Sequence, residues 1–474
     1  MKTNIVFAMI TAIILFSCDS DSADSCGNGA IDPGEECDQD MMVFSSCSQL
    51  GFYEQSSPPF CSARCVIDTS GCSKRCGDGV IQVEHGEQCE GLQLNGSSCQ
   101  SLGFAGGTLL CGNNCQFNPN SCTPGSGNAD LRSLYFDKGF LDPYFSSDVT
   151  TYSAFVPFSV STITLTAIPA DENATVQIVP AQPMTVSLGS NLITVTVTAQ
   201  NGTLKVYSID AIREETSAGK MIRVPGGTFQ RSSSSADTST VSSFYISEKE
   251  ITRYQFTAVT GLEDPSDTFY SAGRTDPVQN ANWYHAVFFC NRASLAEGLT
   301  PVYTINGSTN PDDWGSVPTT NNLTWNRATA NWSANGYRLP TEMEWMWAAM
   351  GARDATTGYL KAFAGSTGTN LIDDYVWYDD SSAYRTNPVG KKLPNELALY
   401  DMSGNVWEWC WDWTSPYPAG ALYNYRGPDS TTLNARVLRG GSWWDYASRA
   451  AVAYRSSTIP LTRESFYGFR VARQ

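Results

Sequence analysis

Histidine is almost missing from this chain of 474 residues, which has only His85 and His285. His85 sits in a cysteine-dense stretch, so no histidine-rich iron site can be assembled. Basic charge is short as well, with 30 Lys and Arg against 47 Asp and Glu and a formal charge of -17. That balance argues against binding nucleic acid or an anionic lipid surface through a basic face. It is compatible with calcium, which takes carboxylate and carbonyl oxygens, although most of the charge serves solubility. Long apolar runs are lacking too. The run from Ile5 to Phe16 is too short for a permanent membrane-spanning helix, and behind Lys2 it has the layout of an export signal.

Ser17 and Cys18 follow that run directly, with Leu15 three positions before the cysteine. This arrangement resembles a bacterial lipoprotein signal over residues 1–18. The resemblance implies cleavage before Cys18, lipidation of Cys18, and a place in the cell envelope, anchored to a bacterial membrane or secreted.

Twelve of the 15 cysteines lie between Cys26 and Cys122. Cys26, Cys37, Cys47, Cys61, Cys65 and Cys72 recur as Cys76, Cys89, Cys99, Cys111, Cys115 and Cys122, so residues 26–72 and 76–122 are a duplication. CGNG and CGDG open the units, and GEEC and GEQC follow. An even count in an exported, loop-rich segment with few apolar residues implies about three disulfides per unit. Pairing is expected within each unit, in a connectivity that spacing leaves open. The units resemble the cysteine-rich repeats in surface proteins of myxobacteria and related organisms, which implies a spacer or adhesive module and no chemistry.

Residues 129–214 alternate apolar and polar positions in short runs, at Thr162 to Ala167, Thr175 to Val179, Asn191 to Ala199 and Lys205 to Ile212. Period-two runs bounded by Pro, Gly and Asn predict strands, and their regular spacing predicts an antiparallel sandwich. The segment looks like the cadherin-like β-sandwich of bacterial surface proteins, through FLDPYFSSDVTTYSAFVP, GSNLITVTVTAQNG and KVYSIDAIR.

The last segment, residues 220–474, carries DMSGNVWEWCWDW at Asp401 and RVLRGGSWW at Arg436. Such crowding of Trp, Gly and Asn predicts irregular backbone packed beneath indoles. In LPTEMEW, Thr341 and Glu344 have capping-box spacing, which assigns a structural helix rather than catalysis to Glu342 and Glu344. Together with YISEKEITRY at Tyr245, WYHAVFFCN at Trp283, GYRLPTEMEWMWAA at Gly336 and YGFRVAR at Tyr467, these blocks resemble the formylglycine-generating enzyme (sulfatase-modifying factor) family. The resemblance implies an α+β, C-type-lectin-like domain, so the expected whole is a multidomain chain of disulfide-rich repeats, an all-β sandwich and this domain.

In that family two cysteines just beyond the RGGS element hold copper and oxidise a substrate cysteine. Here those positions carry Asp445 and Ala450, and neither supplies the soft thiolate that Cu(I) needs. No catalytic residue is assigned and copper is not expected. Cys290 and Cys410 lie in other blocks, where a disulfide or two buried thiols is the economical expectation. The resemblance does imply a structural calcium held by Asp401, Gly404, Val406 and Glu408, with a second among Asp373 to Asp380. The alternative for Glu408 is an arginine partner, since a carboxylate among aromatics needs a cation. The expected function is a protein- or glycan-binding module with a ligand surface at Trp443, Trp444, Asp445, Tyr446 and Arg449. The alternative for Trp443 and Trp444 is that they fill the core. The alternative function is a formylglycine-generating oxidase acting on sulfatase cysteines, or another reaction in the same cleft.

Overall fold

The computed structural model describes residues 26–271, 273–429 and 432–474, so Cys18 and the export segment lie outside it. The chain divides into two compact units. The first contains the cysteine-rich residues through Ala129 together with Asp171–Thr175 and Thr198–Leu204, and the second contains the remainder.

Little apolar side chain is available in the cysteine-rich region, and disulfides take its place. The first repeat closes Cys26–Cys65, Cys37–Cys61 and Cys47–Cys72, and the second repeats the pattern as Cys76–Cys115, Cys89–Cys111 and Cys99–Cys122. Six disulfides are the mark of an extracytoplasmic, oxidising setting. The repeated CGxG motif has a local cause. Gly77 and Gly79, both at positive φ, turn their N–H groups onto the Glu90 carboxylate at 3.0 and 3.2 Å, and Gly27 and Gly29 do the same to Asp38.

In the second unit the alternating runs form a five-stranded sheet in the order Phe140–Asp142, Thr151–Val156, Leu204–Arg213, Gly189–Thr198, Thr175–Val179. Leu131–Phe136 pairs separately with Leu165–Pro169. Alternation sets the faces: Tyr152, Ala154 and Val156 are buried, as are Tyr207, Ile209 and Ala211. The sandwich is not wholly antiparallel as expected, because Thr151–Val156 pairs parallel with Leu204–Arg213. The long segment between them supplies the crossover that parallel neighbours require.

The C-terminal domain carries three main helices, α1 (Arg253–Thr260), α2 (Trp283–Ala296) and α3 (Glu342–Ala349). Each begins with a capping box: Thr252 with Gln255, Asn282 with His285, and Thr341 with Glu344. Strands β1 (Trp407–Trp413), β2 (Arg436–Arg439), β3 (Arg455–Thr458) and β4 (Tyr467–Gly468) make one sheet, in the order β3-β2-β1-β4. A second sheet ties the two ends of the domain together, since Phe244–Ser247 pairs with both Met221–Val224 and Ala472–Arg473.

Strand β1 explains the tryptophan density. Successive residues of a strand face opposite ways. Trp407 and Trp409 join the apolar cluster around α2, with Trp409 donating to Ala281 O at 2.8 Å, while Cys410 joins the cluster around α3. Trp411 and Trp413 lie on the first face and, with Trp283, enclose the buried Arg436 guanidinium at 4.8, 3.5 and 4.0 Å from their ring centres. Burial pushes the Arg436 pKa down to about 9.

Candidate functional site

Of the expected calcium ligands, Glu408 stands on the even-numbered face of β1, and Asp401, Gly404 and Val406 lie in the loop before it. Glu408 is fully buried against α3, where its carboxylate accepts Arg470 Nε at 2.7 and 2.8 Å and Trp345 Nε1 at 2.6 Å. Its cation is therefore an arginine. Asp401 is also buried; Oδ2 accepts Gly390 N at 2.7 Å and Oδ1 has no partner. Burial raises the Asp401 carboxyl to about 6. Between Asp401 and Glu408, Gly404 has φ 82°, and a Cβ there would meet Trp377 O at 2.3 Å, so glycine is required.

A third carboxylate, Glu250, completes this interior group. It accepts Val406 N at 3.0 Å and Asn405 Nδ2 at 2.8 Å, and burial, then the charges of Asp401 and Glu408, hold its pKa far above the usual range. Calcium takes six to eight oxygens. The expected set offers it one unpartnered carboxylate oxygen, at Asp401, whereas Glu408 is already satisfied by protein donors. Among the described residues, the stretch Asp373 to Asp380 brings no three carboxylates within 4.8 Å of one another, and Asp373 instead accepts Tyr378 Oη at 2.7 Å.

The loop after β2 begins with Gly440 and Gly441, both at positive φ, and passes through Ser442 to Ala450. Asp445 is 5% exposed and organises the loop. Its Oδ2 accepts Trp407 Nε1 at 2.7 Å and Ser442 Oγ at 2.6 Å, and its Oδ1 accepts Arg449 at 2.6 Å. Ala450 is buried in a small apolar cluster with Phe363, Val376 and Tyr378. Cys290 and Cys410 are separate buried thiols, each raised in pKa by burial, and they do not form a disulfide.

The expected ligand surface is narrower than the sequence implied. Trp443 is interior, 1% exposed, donating to Ser465 O at 2.9 Å and stacked on Tyr270 at 5.1 Å. Asp445 is interior too. Trp444 and Tyr446 stand out, 55% and 74% exposed, with the half-exposed Arg449 beside them. Tyr384, from a distant loop, meets Trp444 edge-on at 6.1 Å. Trp444 separates two open cavities of about 370 Å³ each: one runs toward Asp267, Tyr270 and Glu464, the other toward Asp379, Tyr384 and Tyr446.

Glu342, at the start of α3, joins neither surface. It accepts Arg439 Nε at 2.9 Å, Arg455 at 2.6 and 2.8 Å, and Tyr417 Oη at 2.9 Å. Glu344 pairs with Arg338 at 2.6 and 2.7 Å and closes the helix cap. Sequence reasoning did not find Glu250, Arg470 or Tyr384 as parts of these sites, although Glu250 and Arg470 lie within the quoted blocks YISEKEITRY and YGFRVAR.

A capped α/β core tied at its ends, an RGGS loop and a GNVWEW loop define a sulfatase-modifying-factor type of domain. The chain belongs to this family: the sulfatase-modifying factor enzyme 1-like domain matches residues 209–474, and the cadherin-like beta sandwich domain matches residues 129–214. The chain is 35% identical over 254 residues to the chaperone protein LppX of Paenibacillus barcinonensis, covering 49% of this chain and 82% of that relative. It is 38% identical over 161 residues to the formylglycine-generating enzyme of Streptomyces coelicolor, covering 32% of this chain but only 51% of that one. Among solved structures, Treponema denticola variable protein 1 is 36% identical with a TM-score of 0.48, covering 53% of this chain and 94% of that one.

Proposed function

We propose that this is an exported, lipid-anchored protein whose C-terminal domain binds a protein or glycan through Trp444, Tyr446 and Arg449, with Tyr384 extending the surface, and does not oxidise thiols. The observation that carries the reading is the state of the two positions where the family places its cysteines. Asp445 is fully occupied by three donors, and Ala450 presents a buried methyl. Neither offers a ligand to a soft metal. Exposed aromatics beside an arginine have the composition of binding hot spots. The relative named as a chaperone favours a protein as the first class of partner to test.

Incubated with a sulfatase-type cysteine peptide, the purified chain is expected to leave it unchanged with or without copper. Mass spectrometry reads the outcome, and copper-dependent loss of sulfur with appearance of an aldehyde would restore the oxidase reading. In a screen against envelope proteins and a glycan array, Trp444→Ala combined with Tyr446→Ala is expected to weaken a hit about tenfold or more, the scale of a binding hot spot. Retained binding by that variant would rule out this surface.

Anchoring rests on Cys18 alone, which follows the apolar export segment. Palmitate labelling in a bacterial host is expected for the wild type and lost in Cys18→Ser. Equal labelling of the two would remove the anchor from the proposal.

A further inference from the structure

A cleft of about 390 Å³ lies inside the second unit, where the sandwich meets the C-terminal domain. Its size is that of a small-molecule site, and such sites favour domain seams. One wall is a row of side chains that changes character from end to end. Arg274 lies 5.7 Å over the Phe140 ring, Phe140 meets Tyr254 edge-on at 4.6 Å, and Tyr254 borders Glu214, whose charge adds to burial in raising the phenol's pKa. Phe155 stacks behind Phe140 at 5.3 Å. The sandwich supplies the two phenylalanines and the C-terminal domain supplies Tyr254 and Arg274, so the wall exists only while both domains are joined.

One polar group of this wall, the Tyr254 hydroxyl, is buried without a partner, and the two charged groups at its ends form no ion pair among the described residues. Glu214 has no ion pair within 4 Å among the described residues; Gln255 Nε2 reaches it at 3.4 Å, and Lys249, which lines the same cleft, acts on it by charge. Burial lifts its carboxyl to about 7. Tyr254 is 8% exposed, and its hydroxyl has no hydrogen-bond partner. At the other end Arg274 is exposed and has no carboxylate partner among the described residues. A buried polar group without a partner is costly, which is why such groups mark places that a ligand completes.

The order of groups describes that ligand. A carboxylate beside a phenol suits an ammonium, rings suit an apolar or cationic body, and a guanidinium suits a carboxylate. The two ring-to-group steps together span at most about 10 Å, which is two to three residues of extended chain at roughly 3.5 Å each. We propose that this cleft binds a short zwitterionic peptide, a di- or tripeptide, with its amino terminus at Glu214 and Tyr254, an apolar side chain against Phe140 and Phe155, and its carboxylate at Arg274.

Isothermal titration of the full chain with the tripeptide Ala-Phe-Ala tests the assignment, alongside its N-acetyl, C-amide and doubly blocked forms. The free tripeptide is expected to bind with Kd below about 1 mM and each singly blocked form about tenfold more weakly. Glu214→Gln is expected to abolish the preference for a free amine, and Arg274→Ala the preference for a free carboxylate. Neither residue lies in an apolar core, so melting curves of both variants are expected to stay cooperative. No heat with the tripeptide at about 10 mM overturns the proposal, because binding that weak would leave the termini unrecognised. Equal binding of the doubly blocked peptide overturns it as well, as do variants that keep both preferences. Binding lost in Trp444→Ala would place the peptide on the exposed aromatic surface and likewise refute this cleft.

Discussion

Replacing Glu408 with alanine will lower the stability of the C-terminal domain by about 3–5 kcal/mol, the cost of leaving a buried charge without its partner. The charge in question is Arg470, which is fully buried. Burial works against its protonated form, and Glu408, with smaller help from Glu250 and Asp401, outweighs that and holds the guanidinium above its ordinary range. The remaining donors of Arg470 reach backbone oxygens of Ser247 and Tyr400 at 3.0 and 2.8 Å, so it cannot turn to solvent without breaking those bonds. Trp345 loses its acceptor at the same time. Thermal and denaturant melts measure the effect, and Glu408→Gln, which still offers an oxygen to Trp345, is expected to lose less. A chelator should leave the size of the loss unchanged. If it instead destabilises the wild type and leaves Glu408→Ala unaffected, Glu408 belongs to a calcium site after all. Asp401→Ala probes the one open oxygen separately.

The second large effect is expected from Glu342→Ala. One carboxylate faces Arg439, which is fully buried, and Arg455, whose side chain is 23% exposed. Arg455 can relax toward water, so the cost is set mainly by Arg439 and again comes to about 3–5 kcal/mol. A double-mutant cycle with Arg439→Met isolates the pair, because the two changes together remove both charges and should cost less than their sum. Strict additivity would show that Glu342 and Arg439 act independently. The exposed surface at Trp444 should survive in whatever fraction remains folded, since Glu342 contributes nothing to it.

Where the sequence carried a period or a local pairing, the structure could be read from it. The duplicated cysteines, the alternation through Lys205 to Ile212, and the box formed by Thr341 and Glu344 each depend on neighbours a few residues away or on a visible repeat. The partner of Glu408 could not be read in that way, because Arg470 lies 62 residues on. Nor did pattern distinguish Trp443 from Trp444: adjacent identical residues in an irregular loop have no period, and only tertiary packing sends one inward to Tyr270 and the other out toward Tyr384. The parallel pairing within the sandwich was missed for a related reason, since alternation fixes which residues face the core and says nothing about strand direction.

The first disulfide of each repeat, Cys26–Cys65 or Cys76–Cys115, has a mechanical consequence. A force that separates Cys26 from Cys72 is transmitted through the Cys26–Cys65 bridge, so the only backbone left to straighten is the seven-residue step from Cys65 to Cys72. The second repeat is identical in this respect, from Cys115 to Cys122. Each repeat can then lengthen to about 30 Å, bridge included, where an unbridged chain of the same size would reach roughly 160 Å. Tension along the cysteine-rich segment would therefore meet a chain of nearly fixed length until a thiol reductant opened the bridges.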